Sequence, residues 1–198
     1  MFKKIIFILL ISLIIVVAGW YFFARDKELS SLEDLKQQYP DLTVYVDDVI
    51  KAQAGLSENK DEIENYVILG FNWKTLADWA RPAGVADYLG YYRKALDVYE
   101  QGIKKTFRRN TLLMTNAGNM AKYLGDYKLT ESYYKEAISV APGDESYYIY
   151  LAELYEYQMK KSKEEILAVY DEGLKRVLNI GWLTARKEAY LERAEGGK

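Results

Sequence analysis

The chain contains no cysteine and no histidine among its 198 residues, and it has only three prolines. Without cysteine it forms no disulfide bonds and no thiolate metal sites. Without histidine it also lacks the commonest general base and metal ligand of proteins, so most nucleophile–base pairs and zinc sites are excluded. We therefore expect a protein that is not an enzyme and that holds neither a metal ion nor a cofactor.

The charge balance argues against nucleic acid as a partner. The chain has 27 lysine and arginine residues against 29 aspartate and glutamate residues. Lys3 and Lys4 are the only charged residues among the first 24, so the remainder has 25 basic and 29 acidic residues. A mildly acidic domain is a poor ligand for a phosphate backbone, because binding there depends on a surplus of basic side chains.

Residues 1–24 are strongly apolar. An apolar run extends from Ile5 to Phe23 and is interrupted only by Ser12. As a helix with a rise of about 1.5 Å per residue, this run would cover about 28 Å, close to the thickness of the hydrocarbon core of a bilayer. The pattern predicts a signal-anchor or transmembrane helix over residues 1–24.

This N-terminal segment has a second interpretation. The small residues that end at Ala18 resemble a signal-peptidase site, and cleavage there would give a secreted protein. In the first interpretation the short basic N-terminus, with Lys3 and Lys4, stays in the cytoplasm. Residues 25–198 would then lie on the extracytoplasmic side of a single-pass membrane protein.

Residues 25–59 are polar and mixed in charge, and they contain two short helical patterns. Pro40 ends the first pattern and Gly55 ends the second. We predict a polar spacer with short helices, which separates the N-terminal segment from the rest of the chain.

From about residue 60 the chain repeats itself at a nearly constant period. Five positions have counterparts 35 residues later, namely Gly90, Tyr92, Ala95, Tyr99 and Gly102 with Gly125, Tyr127, Thr130, Tyr134 and Ala137. Four others have counterparts 34 residues later, namely Met114, Ala117, Gly118 and Ala121 with Tyr148, Leu151, Ala152 and Tyr155. We expect glycines such as Gly70 and Gly118 to let paired helices approach closely, and Tyr99 and Tyr134 to fill the space between them.

A helix–turn–helix period of 34 residues resembles the tetratricopeptide repeat (TPR) family. YVILGFNWKTLAD, beginning at Tyr66, is similar to the first helix of such a repeat, and GDYKLTESYYKEAISVAP, beginning at Gly125, is similar to the turn, second helix and closing proline. The resemblance, to small membrane-anchored TPR proteins in particular, implies an all-α fold. It consists of an N-terminal transmembrane helix, an α-solenoid of about three TPR helix pairs and a C-terminal capping helix. The implied TPR-like domain covers residues 60–198, with repeats at about 63–109, 111–144 and 145–178 and the capping helix at 182–194.

The resemblance also implies a partner-binding groove, because the first helices of TPR pairs line the concave face of the array. The residues predicted to line it are Val67, Phe71, Lys74, Thr115, Asn116, Asn119, Lys122, Ile149 and Glu153. Such a groove accepts an extended segment or a helix of another protein; the alternative is a solvated groove with no dedicated ligand. Some TPR proteins bind the C-terminal carboxylate of a partner, but here only Asn116 falls on a matching position, so that mode is not supported.

The first pair contains about 13 extra residues, at 78–90, compared with the others. We interpret them as a tolerated surface loop or, alternatively, as a docking element. Trp79 follows the apolar face of the preceding helix by one turn, so we expect it to pack against the array.

Together these features favour a membrane-tethered scaffold or adaptor for protein–protein interaction. It would recruit or stabilise a partner in an envelope complex such as a secretion or assembly machine. The alternative is a structural subunit of a membrane complex that associates with copies of itself, a homo-oligomer with no separate partner.

Overall fold

A computed structural model describes residue 28 and residues 31–196. All regular structure in these residues is helical, which confirms the predicted all-α class. The chain divides into two compact units, Met1–Lys51 and Ala52–Lys198.

The described part of the first unit is short but well packed. It has helical residues at 31–38, a 3₁₀ turn at Pro40–Leu42 and the beginning of helix α1, Thr43–Glu58. Pro40 starts the 3₁₀ turn, where a missing N–H is harmless. Val46 and Val49 of α1 are fully buried. The described part of the predicted spacer therefore contains short helices with buried apolar side chains.

The second unit is a succession of helix pairs that follow the end of α1. The helices are α2 (Ile63–Ala80), α3 (Tyr88–Lys105), α4 (Thr111–Tyr123), α5 (Tyr127–Val140), α6 (Glu145–Glu153), α7 (Lys163–Arg176) and α8 (Gly181–Gly196). A π-helical segment, Leu154–Met159, extends α6. The pairs are α2 with α3, α4 with α5, and α6 with α7, and α8 follows as a single helix. This arrangement confirms a solenoid of helical repeats.

Glycines and tyrosines bring the paired helices together. A Cβ atom on Gly70 of α2 would overlap the ring of Tyr99 on α3, and a Cβ atom on Gly118 of α4 would lie 2.7 Å from Cε1 of Tyr134 on α5. Both rings are 1% exposed. Only glycine leaves room for an aromatic ring against the helix backbone at these places. The predicted close approach is thus present in both pairs.

The third pair uses the same contact with the partners exchanged. Gly173 lies on the second helix, α7, and a Cβ atom there would lie 2.8 Å from Cγ of Tyr148 on α6. Gly102 on α3 meets Tyr66 of α2 in a similar way, at 3.0 Å from its Cβ. A large ring against a small residue is therefore the recurrent unit of the core.

Side-chain caps start four of the helices. Each cap accepts a backbone N–H that the first helical turn would otherwise leave without a partner. The caps are Asn110 for α4, Asp126 for α5, Asp144 for α6 and Ser162 for α7. Ser162 and Glu165 form a complete capping box. The helix starts are thus specified locally, independently of the packing that follows.

The extra residues of the first pair mostly lengthen its helices. α2 and α3 have 18 residues each, whereas α4 has 13 and α5 has 14. The connection between α2 and α3 is only residues 81–87, and Gly84 adopts a φ of +82° in it. Val85 is buried at 8% exposure and closes the turn through a hydrogen bond from its N–H to the carbonyl oxygen of Ala80.

The first helix of the third pair, α6 with its π-helical extension, is two residues longer than α4. The segment after α6 winds as a π-helix and ends at Lys160, which has a φ of 52°. One-turn π segments of this kind arise where a helix accommodates an insertion. Tyr155 within it donates a hydrogen bond of 2.6 Å from its hydroxyl to Oε1 of Glu131 on α5. The altered turn therefore remains tied to the preceding pair.

The structure corrects the prediction of a single-pass membrane protein. Among residues 28 and 31–196, no helix is both long and apolar enough to cross a bilayer. The two helices of 18 residues carry charged side chains such as Lys74 and Glu100, whereas a span needs about 20 mostly apolar residues. The span predicted at 1–24 and the cleavage predicted after Ala18 lie outside the described residues. Neither the anchor nor the extracytoplasmic location is retained.

The glycine–tyrosine contact predicts that replacement by alanine has opposite effects on the free energy of unfolding at Gly118 and at Gly55. Gly118→Ala should lower the free energy of unfolding by about 1–3 kcal/mol, because the new methyl group overpacks the ring of Tyr134. Gly55→Ala on α1 should raise it by about 1 kcal/mol, because no atom lies within 4 Å and alanine favours the helix. Urea unfolding followed by circular dichroism measures both. Equal effects would contradict the packing described for Gly118.

The buried tyrosines predict unfolding in alkali. Burial raises the pKa of Tyr99 and Tyr134 above the ordinary 10.0 and that of Tyr170 to about 12. The folded chain thus holds these protons more tightly than the unfolded chain, so their contribution to stability is complete below about pH 10 and is lost as the pH rises further. We expect tyrosinate absorbance and loss of helical circular dichroism to change together above pH 10. Complete tyrosine ionisation with the helices intact would contradict the burial.

Candidate protein-binding face

Each first helix leaves one stripe of residues uncovered. On α4 the buried residues include Leu113, Ala117 and Met120, which lie on one side of the helix. We call the residues on the uncovered side of α2, α4 and α6 the first-helix face. It consists of Ile68, Phe71 and Thr75, then Leu112, Asn116, Asn119 and Tyr123, then Ser146, Tyr150, Glu153 and Tyr157, each set spaced three or four residues apart.

Every first helix places large apolar side chains on this face. The exposed fractions are 43% for Ile68 and 57% for Phe71, 53% for Leu112 and 46% for Tyr123, and 40% for Tyr150 and 47% for Tyr157. A single exposed apolar residue is ordinary, but recurrence on successive helices gives a patch, which marks interaction surfaces.

Lys74, at the α2 end of the face, is already paired. Its Nζ lies 2.5 Å from Oδ2 of Asp78, one turn later. The other oxygen of Asp78 accepts a hydrogen bond of 2.5 Å from the hydroxyl of Tyr92 on α3, and the ring of Tyr92 stacks on Tyr123 at 4.9 Å. The cation predicted to meet a partner is thus neutralised, and this cluster joins the first two pairs.

The centre of the face is anchored to the core through Asn119. Its Oδ1 accepts a hydrogen bond of 2.7 Å from the hydroxyl of Tyr134, and the ring of Tyr134 lies 5.7 Å from that of Tyr150. Burial raises the pKa of Tyr134, so its hydroxyl keeps the proton that it donates. With its oxygen occupied, Asn119 presents its amide N–H groups as donors.

Asn116 of the first-helix face and Lys122, which borders the face one residue before Tyr123, complete the polar centre. They lie six residues apart on α4, with Asn119 midway between them, and all three are half-buried. Within the described part of the chain, neither Lys122 nor Asn116 has a side-chain hydrogen bond or an ion pair. They therefore remain available to a ligand.

The acidic end of the face is neutralised by the last helix. Glu153 lies 3.3 Å from Nη1 of Arg186 on α8. Glu156 accepts two hydrogen bonds from Arg193, at 3.0 Å from Nε and 2.9 Å from Nη2. α8 thus lies beside α6 as a further first helix would, and its arginines neutralise Glu153 and Glu156.

Two of the predicted groove residues do not lie on the open face. Thr115 is 7% exposed and its hydroxyl donates to the carbonyl oxygen of Thr111 at 2.9 Å, while Ile149 is 8% exposed. Each lies one residue from the open stripe, on the flank of its helix. Val67 is half-buried, as Lys74 and Lys122 are, and borders the face beside Ile68.

Among the large apolar residues of the face, sequence reasoning missed Ile68, Leu112, Tyr123, Tyr150 and Tyr157. The sequence did contain a signal for them. Each is an apolar residue that falls between the positions at which buried residues recur along the helix. Trp79 was also misjudged, since it is 51% exposed instead of packed. Val85, in the following turn, is the apolar residue that is buried there.

The face offers apolar contact and hydrogen bonding. Among residues 28 and 31–196, no group of three or more carboxylates is placed to hold a metal ion. The donors at the centre of the face come from one lysine and two amides, a set that suits an acceptor group on a ligand.

The helix pairs resemble those of solved TPR structures. A thermophilic TPR protein from Thermus thermophilus, TTC0263, is 20% identical, with 88% of this chain and 94% of that chain covered and a TM-score of 0.60. A crystal structure of MamA is 18% identical, with 75% and 77% covered and a TM-score of 0.52. No protein-family model and no curated protein matches the sequence. At these identities the likeness shows the fold, so the TPR-like architecture is confirmed.

Two neighbouring residues of α2 test the assignment of the face. Phe71→Ala should change the free energy of unfolding by less than about 0.5 kcal/mol, because the side chain is 57% exposed. Leu69→Ala, at 5% exposure, should lower it by about 2–5 kcal/mol through the cavity that it leaves. Denaturant titration distinguishes them. A large cost for Phe71→Ala would mean that this stripe belongs to the core.

Proposed function

We propose that this chain is a protein-interaction scaffold, rather than an enzyme, and that its first-helix face binds a segment of another protein. The observation that carries this proposal is the recurrence of exposed apolar residues on α2, α4 and α6. The absence of cysteine and histidine from the sequence supports a non-catalytic role.

The rigidity of the helix pairs favours binding. Gly70 and Gly118 are locked against tyrosine rings, and Asn119 is held by Tyr134. A face that is already ordered loses little conformational entropy when a ligand arrives, so more of the contact free energy appears as affinity. An extended segment or an amphipathic helix could lie across successive first helices, with its apolar side chains against Phe71, Leu112 and Tyr150.

A selection from random peptides displayed on phage tests the proposal. The bait is the full-length chain, and the counter-bait is the double variant Phe71→Ser, Tyr150→Ser. We expect peptides that bind the natural chain at least about tenfold more tightly than the double variant, because apolar anchors dominate such interfaces. The matched control is Leu178→Ser, which removes a fully exposed apolar side chain outside the face and should bind like the natural chain.

Two outcomes would overturn the proposal. One is that no peptide discriminates the natural chain from the double variant. The other is self-association: if light scattering finds a stable oligomer that dissociates in the double variant and not in Leu178→Ser, a second copy of the chain covers the face. Circular dichroism and urea unfolding of each variant establish that the comparisons concern folded protein.

A further inference from the structure

We propose that the segment bound by the first-helix face carries an internal aspartate or glutamate beside an apolar side chain, and that Lys122, Asn119 and Asn116 of α4 receive this carboxylate. The inference rests on the proposed function, since it specifies the ligand of the same face.

The first observation is the lone charge of Lys122. Within residues 28 and 31–196, its ammonium group forms no ion pair and no hydrogen bond. The other cations around the face are paired: Lys74 with Asp78 at 2.5 Å and Arg186 with Glu153 at 3.3 Å. The same pairs neutralise the acids, so the positive charge of Lys122 is not compensated by the described part of the chain.

The second observation is the orientation of the neighbouring amide. Oδ1 of Asn119 is occupied by the hydroxyl of Tyr134, which is 1% exposed and fixed in the core. Nδ2 therefore faces the ligand as a donor. Asn116 and Lys122 lie three residues before and after it, which places the three side chains along the same side of α4. The charge of Lys122 and the amide N–H groups that Asn119 and Asn116 can donate favour a carboxylate over a neutral or basic group.

The third observation is the apolar border of this centre. Leu112 lies one turn before Asn116 and is 53% exposed, and Tyr150 of α6 is 40% exposed with its ring against Tyr134. These side chains would contact an aliphatic or aromatic residue adjacent to the acid. They also reduce the access of water, which strengthens the attraction between Lys122 and a carboxylate.

The carboxylate could be an internal side chain or the terminus of a chain, and the proposal commits to the side chain. One lysine and two amides lie along a single helix beside apolar side chains, an arrangement that suits an acidic residue within a segment that crosses the face. Peptides with an amidated C-terminus separate the two sources.

The test uses peptides recovered from the phage selection and resynthesised in three forms: unchanged, with each acid replaced by its amide, and with the C-terminus amidated. Fluorescence anisotropy measures their binding to the natural chain, to Lys122→Gln and to the control Lys104→Gln. Lys104 is exposed on α3, outside the face. We expect acidic residues to be enriched among the selected peptides. The amide-replaced peptides should bind the natural chain about tenfold more weakly than the unchanged peptides. On Lys122→Gln the unchanged and amide-replaced peptides should bind alike, and Lys104→Gln should behave as the natural chain.

The failures of the two proposals are distinguishable. If peptides bind the face but their acids are dispensable, or if Lys122→Gln keeps full discrimination, the acidic ligand is wrong and the scaffold function stands. If C-terminal amidation alone removes binding, the ligand is a chain terminus and the internal side chain is wrong. If no selected peptide distinguishes the natural chain from the Phe71→Ser, Tyr150→Ser variant, both proposals fall.

Discussion

Contact between a tyrosine ring and the backbone of the neighbouring helix decides how the pairs form. Tyr99 lies on Gly70 and Tyr134 on Gly118, and in the third pair Tyr148 lies on Gly173. Each ring fills space that smaller side chains would leave empty, and each glycine removes the only group that would push the ring away. Helices that are adjacent in the sequence pair through this contact, because a short turn joins the two members of each pair and keeps them close.

The same contact leaves a functional surface. The side of each first helix that faces away from the second helix is exposed to solvent. Phe71, Leu112 and Tyr150 lie on this side. Tyr134 connects the two sides, since its ring packs on Gly118 while its hydroxyl holds Asn119. The position of a polar group on the open face is therefore set by core packing. This coupling makes the face an ordered surface for a ligand and not a set of independent side chains.

The fold was largely predictable and the face was not. Repeats, helix pairs and the glycine–tyrosine contacts followed from residue spacing, because each depends on neighbours within about 35 positions. Thr115 and Ile149 were assigned to the groove and are buried, since a shift of one residue along a helix turns a side chain by about 100°. The pairing of Glu153 could not be predicted from the repeat, because Arg186, which neutralises it, lies 33 residues further along the chain on α8. The membrane-spanning prediction depended on the length of one apolar run outside the described residues, and no helix of the described residues supports it.

The sequence by itself determined the class of structure, the helix starts at capping residues such as Asp126 and Ser162, and the exclusion of chemistry that needs histidine or cysteine. These features depend on local geometry or on composition, so a linear pattern is enough to reveal them. Only the tertiary structure decided which side chains stay open and which charges remain unpaired. Burial and ion pairing depend on helices that approach from distant parts of the chain, as α8 does when it neutralises Glu153 and leaves Lys122 as the cation without a partner in the described face.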